Sequence, residues 1–249
     1  MRFLKKLILF TLLVLFAGAA VVGGRLVWQG YQIYKQVTGQ TPLSEKVAEI
    51  RANPHYTTLD ELPQTYKDAV VAVEDSRFYK HGGFDLISTG RAVVINLREG
   101  ELAEGGSTIT QQLAKNMYFT QEKKILRKVA ELFVAFDLER DYTKDEILEL
   151  YLNTIYFGSG YYCVYDAAEG YFGKEPSQMT DYESTLLAGI PNAPSVYSLT
   201  NSPELAAQRQ RTVLECMVDQ DYITQEQADA ILAEGEKEQN GGIQQAGEE

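Results

Sequence analysis

With 249 residues, 45% hydrophobic and 23% charged, the chain has room for one large or two small domains around a true core. Its net charge of −12 is concentrated late: residues 215–249 hold ten acidic side chains and one basic, Lys237, so the acidity belongs to the tail and not to the main body. Without a long basic stripe the chain is not a duplex nucleic-acid binder, and Cys163 and Cys216 are too few for a disulfide framework or a zinc site.

The amino terminus reads MRFLKKLILFTLLVLFAGAAVVGGR, with Arg2, Lys5 and Lys6 ahead of a charge-free run over residues 7–24. Eighteen residues reach roughly 27 Å at helical rise, close to the thickness of a bilayer core. Leu26, Val27 and Trp28 extend the span, and positive charge before it predicts a cytoplasmic amino terminus with the body outside. A cleaved signal peptide is the competing reading, because FAGAAV offers small residues near a cut. The length of the apolar run favours an uncleaved anchor over residues 1–28.

Residues 29–50 read as a stalk of mixed character, and residues 51–235 as helices joined by short loops. Pro63 suits a first helical turn, and Tyr66, Val70 and Val73 recur at helical spacing. Thr143 and Glu146 have capping-box spacing ahead of ILELYLNTIY, as do Thr224 and Gln227 ahead of AILAE, and Ser202-Pro203-Glu204 opens another helix. VINL and YYCVY are short ambiguous runs, but no alternating series competes, so the fold class is mostly α. Residues 236–249 lack apolar periodicity and read as an acidic disordered tail. Within FDLISTGRAVVINLREG, Leu86, Ile87, Val93, Val94 and Leu97 share one side of a helix; they form either core or a face that rests on a membrane.

Three features could carry chemistry. VAVEDSRFYKHGGFD runs from small apolar residues straight into Glu74, and burying a carboxylate is costly unless it is paired or its pKa rises. GGSTITQQLAKN follows two glycines with Ser107, Thr108, Thr110, Gln111 and Gln112, an N-capped helix start rich in donors for an oxygen-rich ligand but without P-loop glycine spacing. Lys115, Lys123, Lys124, Arg127 and Lys128 form a cationic cluster against one acid, Glu122. Lys128 and Glu131 stand three apart on one helix face, either as a solvated ion pair or as part of a site for a pyrophosphate. Glu74 and Glu131 are candidate paired carboxylates, a pattern common in sugar chemistry. His55 and His81 are too few to build a metal cage.

In order, EDSRFYKHGGFD, GGSTITQQLAKN, RKVAELFVAFDLE, KDEILELYLNTIYFGSG with AAEGYFGK, and LLAGIPNAPSVYSL resemble the five motifs of the peptidoglycan glycosyltransferases, family 51. These are the glycosyltransferase domains of class A penicillin-binding proteins and the monofunctional transglycosylases. The resemblance spans roughly residues 55–215. It implies a lysozyme-like, bilobed helical domain with a membrane-apposed jaw near residues 86–97. The implied reaction polymerises lipid II into β-1,4-linked strands with inversion and releases undecaprenyl pyrophosphate.

By motif position the resemblance makes Glu74 the general base and Glu131 the second catalytic glutamate. Lys115, Lys128 and Arg127 would hold phosphates, while Ser107, Thr108, Gln111, Gln112 and Asn116 would line the sugar and phosphate cleft. Asn153 and His81 take structural roles. No organic cofactor is implied; in parts of the family a divalent cation, Mg or Mn, accompanies the pyrophosphate, and no ligand cluster in the sequence demonstrates one. The implied partners are the growing lipid-linked strand, the bacterial cell membrane, and transpeptidases or other cell-wall synthases. No transpeptidase motif set follows, so a monofunctional enzyme is expected. One departure is visible: Cys163 stands where the family usually has glycine, which would strain a turn needing positive φ. A lytic transglycosylase on the same fold and a non-catalytic cell-wall scaffold are the alternatives.

Overall fold

The computed structural model describes residues 2–99, 105–119 and 125–245, and among these no strand occurs. The helices are α1 (Arg2–Gln40), α2 (Leu43–Arg51), α3 (Gln64–Glu74), α4 (Leu86–Glu99), α5 (Ile109–Tyr118), α6 (Ile125–Asp141), α7 (Lys144–Leu152), α8 (Val164–Phe172), α9 (Asp181–Gly189), α10 (Pro194–Tyr197), α11 (Pro203–Asp219) and α12 (Gln225–Gln245). The mostly α class is as expected. Capping explains several starts: Thr108, Thr143 and Thr180 each close a capping box with Gln111, Glu146 and Glu183.

The core gathers on the second half of α7, where Ile147, Leu148, Leu150, Tyr151 and Leu152 are all buried. α5 supplies Ile109 and Leu113, and α3 adds Tyr66, Ala69 and Val70. α9 and α11 pack against α3 with Leu187, Ala188, Val213, Leu214 and Met217. Thus α3 ends its apolar course, at Glu74, in the midst of packed helices.

α1 is long and apolar enough to cross a membrane, by length and composition. At helical rise its 39 residues extend about 58 Å, well beyond the ~30 Å of a bilayer core. The expected stalk is therefore different in kind: residues 29–40 continue the same helix and pack along α6. Gly30 makes this approach possible, since a Cβ there would lie 2.4 Å from Val129 Cγ1. Tyr31 and Tyr34 flank Phe133 at ring-centroid distances of 5.3 and 5.5 Å, and the Tyr34 hydroxyl donates to Asp137 Oδ2 at 2.5 Å. At 100° per residue, Val129, Phe133 and Asp137 lie on the side of α6 opposite Arg127, Lys128 and Glu131.

Two further expectations change. α12 continues through Gln245, past the boundary at 235, because Gln, Glu and Lys favour helix as strongly as most apolar residues do; residues 246–249 lie outside the described residues. Cys163 has φ −149°, extended backbone that any residue adopts, and its Sγ accepts the Asp166 N–H at 3.4 Å to cap α8. The positive φ values fall instead on Gly158, Ser159 and Gly160. VINL lies within α4, and both cysteines are free thiols.

Replacing Gly30 by leucine should overpack the α1–α6 contact and cost about 1–3 kcal/mol of stability. Thermal unfolding of the full chain in detergent checks this, with Gly39→Leu as the control, since nothing lies within 4 Å of a Cβ at Gly39.

Candidate active site

A cleft of about 800 Å³ opens between the end of α3, the start of α5 and one face of α11. Glu74 and Asp75 lie on one wall, Gly105, Gly106, Ser107, Thr108, Gln112 and Lys115 on the next, and Arg209, Thr212, Cys216, Asp219 and Gln220 on the third.

Asp75 fixes the corner. It is buried, and its Oδ1 lies 2.7 Å from His81 Nε2 while its Oδ2 accepts the Ile109 N–H, the first amide of α5, at 3.0 Å. A carboxylate at a helix N-terminus is favoured by the orphan donors and dipole there. The His81 ring is also bonded to the Gly82 carbonyl. Burial pulls the imidazole pKa down, but the bonds to Asp75 and Gly82 outweigh it and leave the pKa raised. His81 thus holds its loop, as the sequence suggests.

Next to this anchor, Glu74 Oε2 accepts from Gln112 Nε2 at 2.8 Å, while Oε1 is sealed from solvent with no partner among the described residues. Burial raises the Glu74 pKa above the ordinary carboxylate value. The Gln112 hydrogen bond and the charges of Arg209 and Lys115 act against that rise, and Asp75 adds to it. A carboxylate whose pKa is raised in this way is a stronger proton acceptor than an exposed one.

The cations of α6 stand behind the Ser107 edge of the cleft. Glu131 is buried and binds two of them, Arg127 Nε at 2.8 Å and Lys128 Nζ at 3.2 Å. Lys128 reaches across to donate to Ser107 Oγ at 2.8 Å. Burial lowers the Lys115 pKa; Lys128 and Arg127 add to the fall, while Glu131 and Glu74 oppose it.

Glu74, Ser107, Thr108, Gln112 and Lys115 line the cleft, while Lys128 reaches its edge at Ser107 and Arg127 is held on Glu131 behind it. Thr108 is occupied in its cap and donates to the Gly83 carbonyl at 3.2 Å. Gln111 is buried, with its Oε1 on the Thr108 N–H at 3.3 Å, and is not part of the lining. Asn116 is exposed away from the lining, and Glu131 sits behind it. Glu122, Lys123 and Lys124 lie outside the described residues. Asn153 is structural, bonded to both the amide and the carbonyl of Thr57 at 2.8 Å.

Sequence reasoning missed Arg209, Arg91, Pro191 and Asn192. The available signal was the stripe of Arg209, Thr212, Cys216 and Asp219 at helical spacing, flanking the buried Ala206, Val213 and Met217.

Asp75, His81 and Asp85 bring ligand atoms within 4.8 Å of one another. They do not fit a cation. Asp75 is committed to His81 and Ile109. Asp85 binds Arg77 Nε at 2.9 Å and the Ser88 hydroxyl at 2.7 Å, and accepts from the amides of Ile87 and Ser88. Burial tends to raise the Asp85 pKa, but these hydrogen bonds prevail and lower it to about 2.

A raised folded-state pKa contributes stability only below the unfolded value and loses it as pH rises, so ionised Glu74 costs stability at neutral pH. Glu74→Gln keeps an acceptor for Gln112 and should raise Tm at pH 7 by about 2 °C or more. The gain should shrink as pH falls below the folded-state pKa, which thermal unfolding at several pH values checks.

The transglycosylase family profile matches residues 42–218. Penicillin-binding protein 1F of Bacillus subtilis is 46% identical over 74% of this chain and 25% of its own length. A candidate transglycosylase of Cupriavidus necator is 41% identical over 86% of this chain and 92% of its own. The crystal structure of penicillin-binding protein 1A from Haemophilus influenzae covers 71% of this chain and 17% of that one, at 28% identity and a TM-score of 0.42. The chain spans about a quarter of the first of these relatives. With the cleft, Glu74 and the cationic wall all inside the matched segment, the chain belongs to the transglycosylase family.

Proposed function

We propose that this chain polymerises lipid II into β-1,4-linked peptidoglycan strands with inversion at the anomeric carbon. The observation that carries the reading is Glu74: a desolvated carboxylate in the wall of a large cleft, with its pKa raised and with Lys115 and Arg209 acting on it electrostatically. Glu74 takes the proton of the acceptor sugar's 4-hydroxyl as that oxygen attacks the donor's anomeric carbon. The bond from that carbon to the phosphate oxygen breaks, and the electron pair leaves with undecaprenyl pyrophosphate. Lys115 and Lys128, with Arg127 beside them, stabilise the charge that grows on the leaving group. Glu131 holds Arg127 and Lys128 in place, a positioning role that fits its burial and its two ion pairs. Arg209 extends the cationic character to the opposite wall.

The charge required at the leaving group is thus supplied by this chain's own side chains. Among the described residues the acidic cluster beside the cleft, Asp75 and Asp85 with His81, is already committed to its own hydrogen bonds and ion pairs.

The apolar α1 crosses the membrane with its amino terminus in the cytoplasm and the cleft outside. Leu86, Ile87 and Val94 of α4, 77%, 62% and 65% exposed, rest on the outer leaflet where a lipid-linked substrate arrives. The side chains of Val93 and Leu97, expected on that face, lie outside the described residues. Transpeptidases and other cell-wall synthases are the natural partners of such a product.

A lytic enzyme on the same fold would need Glu74 but neither the cations nor a lipid contact. Incubation with lipid II in detergent, with products sized on a gel, separates the two: strands longer than the substrate support synthesis, and shortening of preformed glycan supports cleavage. Glu74→Gln should lower the polymerisation rate by about 10²–10⁴-fold. Lys128→Ala should also slow turnover markedly, whereas an exposed ion-pair lysine would cost well under ~1 kcal/mol of stability and little activity.

A further inference from the structure

Behind the Glu74–Gln112 pair stands a group that the reaction scheme leaves unused. Tyr151, at the end of α7, is 1% exposed, and its hydroxyl donates to Gln112 Oε1 at 3.4 Å. The other end of the same amide, Nε2, donates to Glu74 Oε2 at 2.8 Å.

A primary amide is two-ended, and its ends have opposite effects on a neighbouring carboxyl. Nε2 facing Glu74 donates to the ionised form and favours it; Oε1 facing Glu74 would repel a carboxylate and favour the protonated acid. The Tyr151 hydroxyl, by donating to Oε1, supports the orientation with Nε2 toward Glu74 and polarises the amide so that Nε2 becomes a stronger donor. We propose that Tyr151 is a positioning residue that locks the Gln112 amide in the orientation presenting Nε2 to Glu74, and so sets where the Glu74 carboxyl titrates.

The remaining ionisable groups around Glu74 act without this directionality. Asp75 and Tyr66 come from its own segment, Lys115 from α5, and Arg209 from α11. Among the described residues, Arg91 of α4 and Cys216 and Asp219 of α11 are the other ionisable groups that line the cleft. Tyr66 provides an internal contrast: it is fully buried on α3 and feels the Glu74 charge, yet its hydroxyl has no hydrogen-bond partner among the described residues.

The inference deepens the assignment of Glu74 as base and rests on it for its catalytic meaning, but it can be read without turnover. In the full chain in detergent, carbon-13 NMR of the glutamate carboxyl carbons follows the Glu74 titration, the signal being assigned by its loss in Glu74→Gln. Tyr151→Phe, which keeps the buried ring, should move the Glu74 midpoint up by about 0.5–1 pH unit. Tyr66→Phe should leave it in place. In a Gln112→Met background the Tyr151→Phe shift should vanish, because Tyr151 acts only through the amide. A midpoint that stays or falls in Tyr151→Phe overturns the proposal, as does a shift that persists without Gln112. If Glu74→Gln polymerised lipid II at the parent rate, the role of Glu74 as base would fall while the titration still judged the Tyr151 contact.

Discussion

The whole site depends on one buried carboxylate that takes no part in the proposed chemistry. Asp75 joins the end of α3 to the first amide of α5 and to His81, and these contacts fix Glu74, its immediate neighbour in the chain, opposite Gln112. α3 must be apolar to pack against α9 and α11, so it delivers its last residue into a desolvated position. The hydrogen bonds of Asp75 offset the cost of burying its own charge. Glu74 has one such bond and an oxygen with none, and it carries the raised pKa. Two adjacent acids thus differ in role because their partners differ.

The second constraint is electrostatic and lies on α6. Buried Glu131 gathers Arg127 and Lys128 at helical spacing, and Lys128 in turn reaches Ser107 beside the cleft. Removing Glu131 would leave two cations without their anchor, so its burial is better understood as fixing their geometry than as contact with substrate. The opposite side of the same helix carries α1 through Gly30, Tyr31 and Tyr34. One helix therefore connects the long apolar α1 on one side to Arg127, Lys128 and Glu131 on the other.

Much of this was legible in the sequence, for identifiable reasons. Helical periodicity and the Thr–Glu and Thr–Gln caps mark the helices, and an apolar run ending in Glu74 marks the buried carboxylate of the cleft. The i, i+3 spacing of Lys128 and Glu131 anticipates their ion pair. Other features stayed hidden because they depend on contacts distant in sequence. Arg209 looks like an ordinary helix charge until α11 closes on α3, and Tyr151 looks like core until Gln112 arrives from α5. Gln111 and Gln112 are indistinguishable in the sequence, yet one closes a cap and the other meets Glu74, since adjacent helical residues point about 100° apart. Residues 29–40 give no sign in the sequence that they continue the apolar helix before them, because they are polar and aromatic. The extent of α12 is equally hidden, because Gln and Glu favour both helix and disorder.

The pH dependence of kcat/KM for lipid II polymerisation by the full chain tests the central claim most directly. The account predicts an acidic limb set by one group titrating above the ordinary carboxyl value of 4.5, a limb that disappears with the activity in Glu74→Gln. A limb at that ordinary value, or one retained by an active Glu74→Gln enzyme, would contradict it.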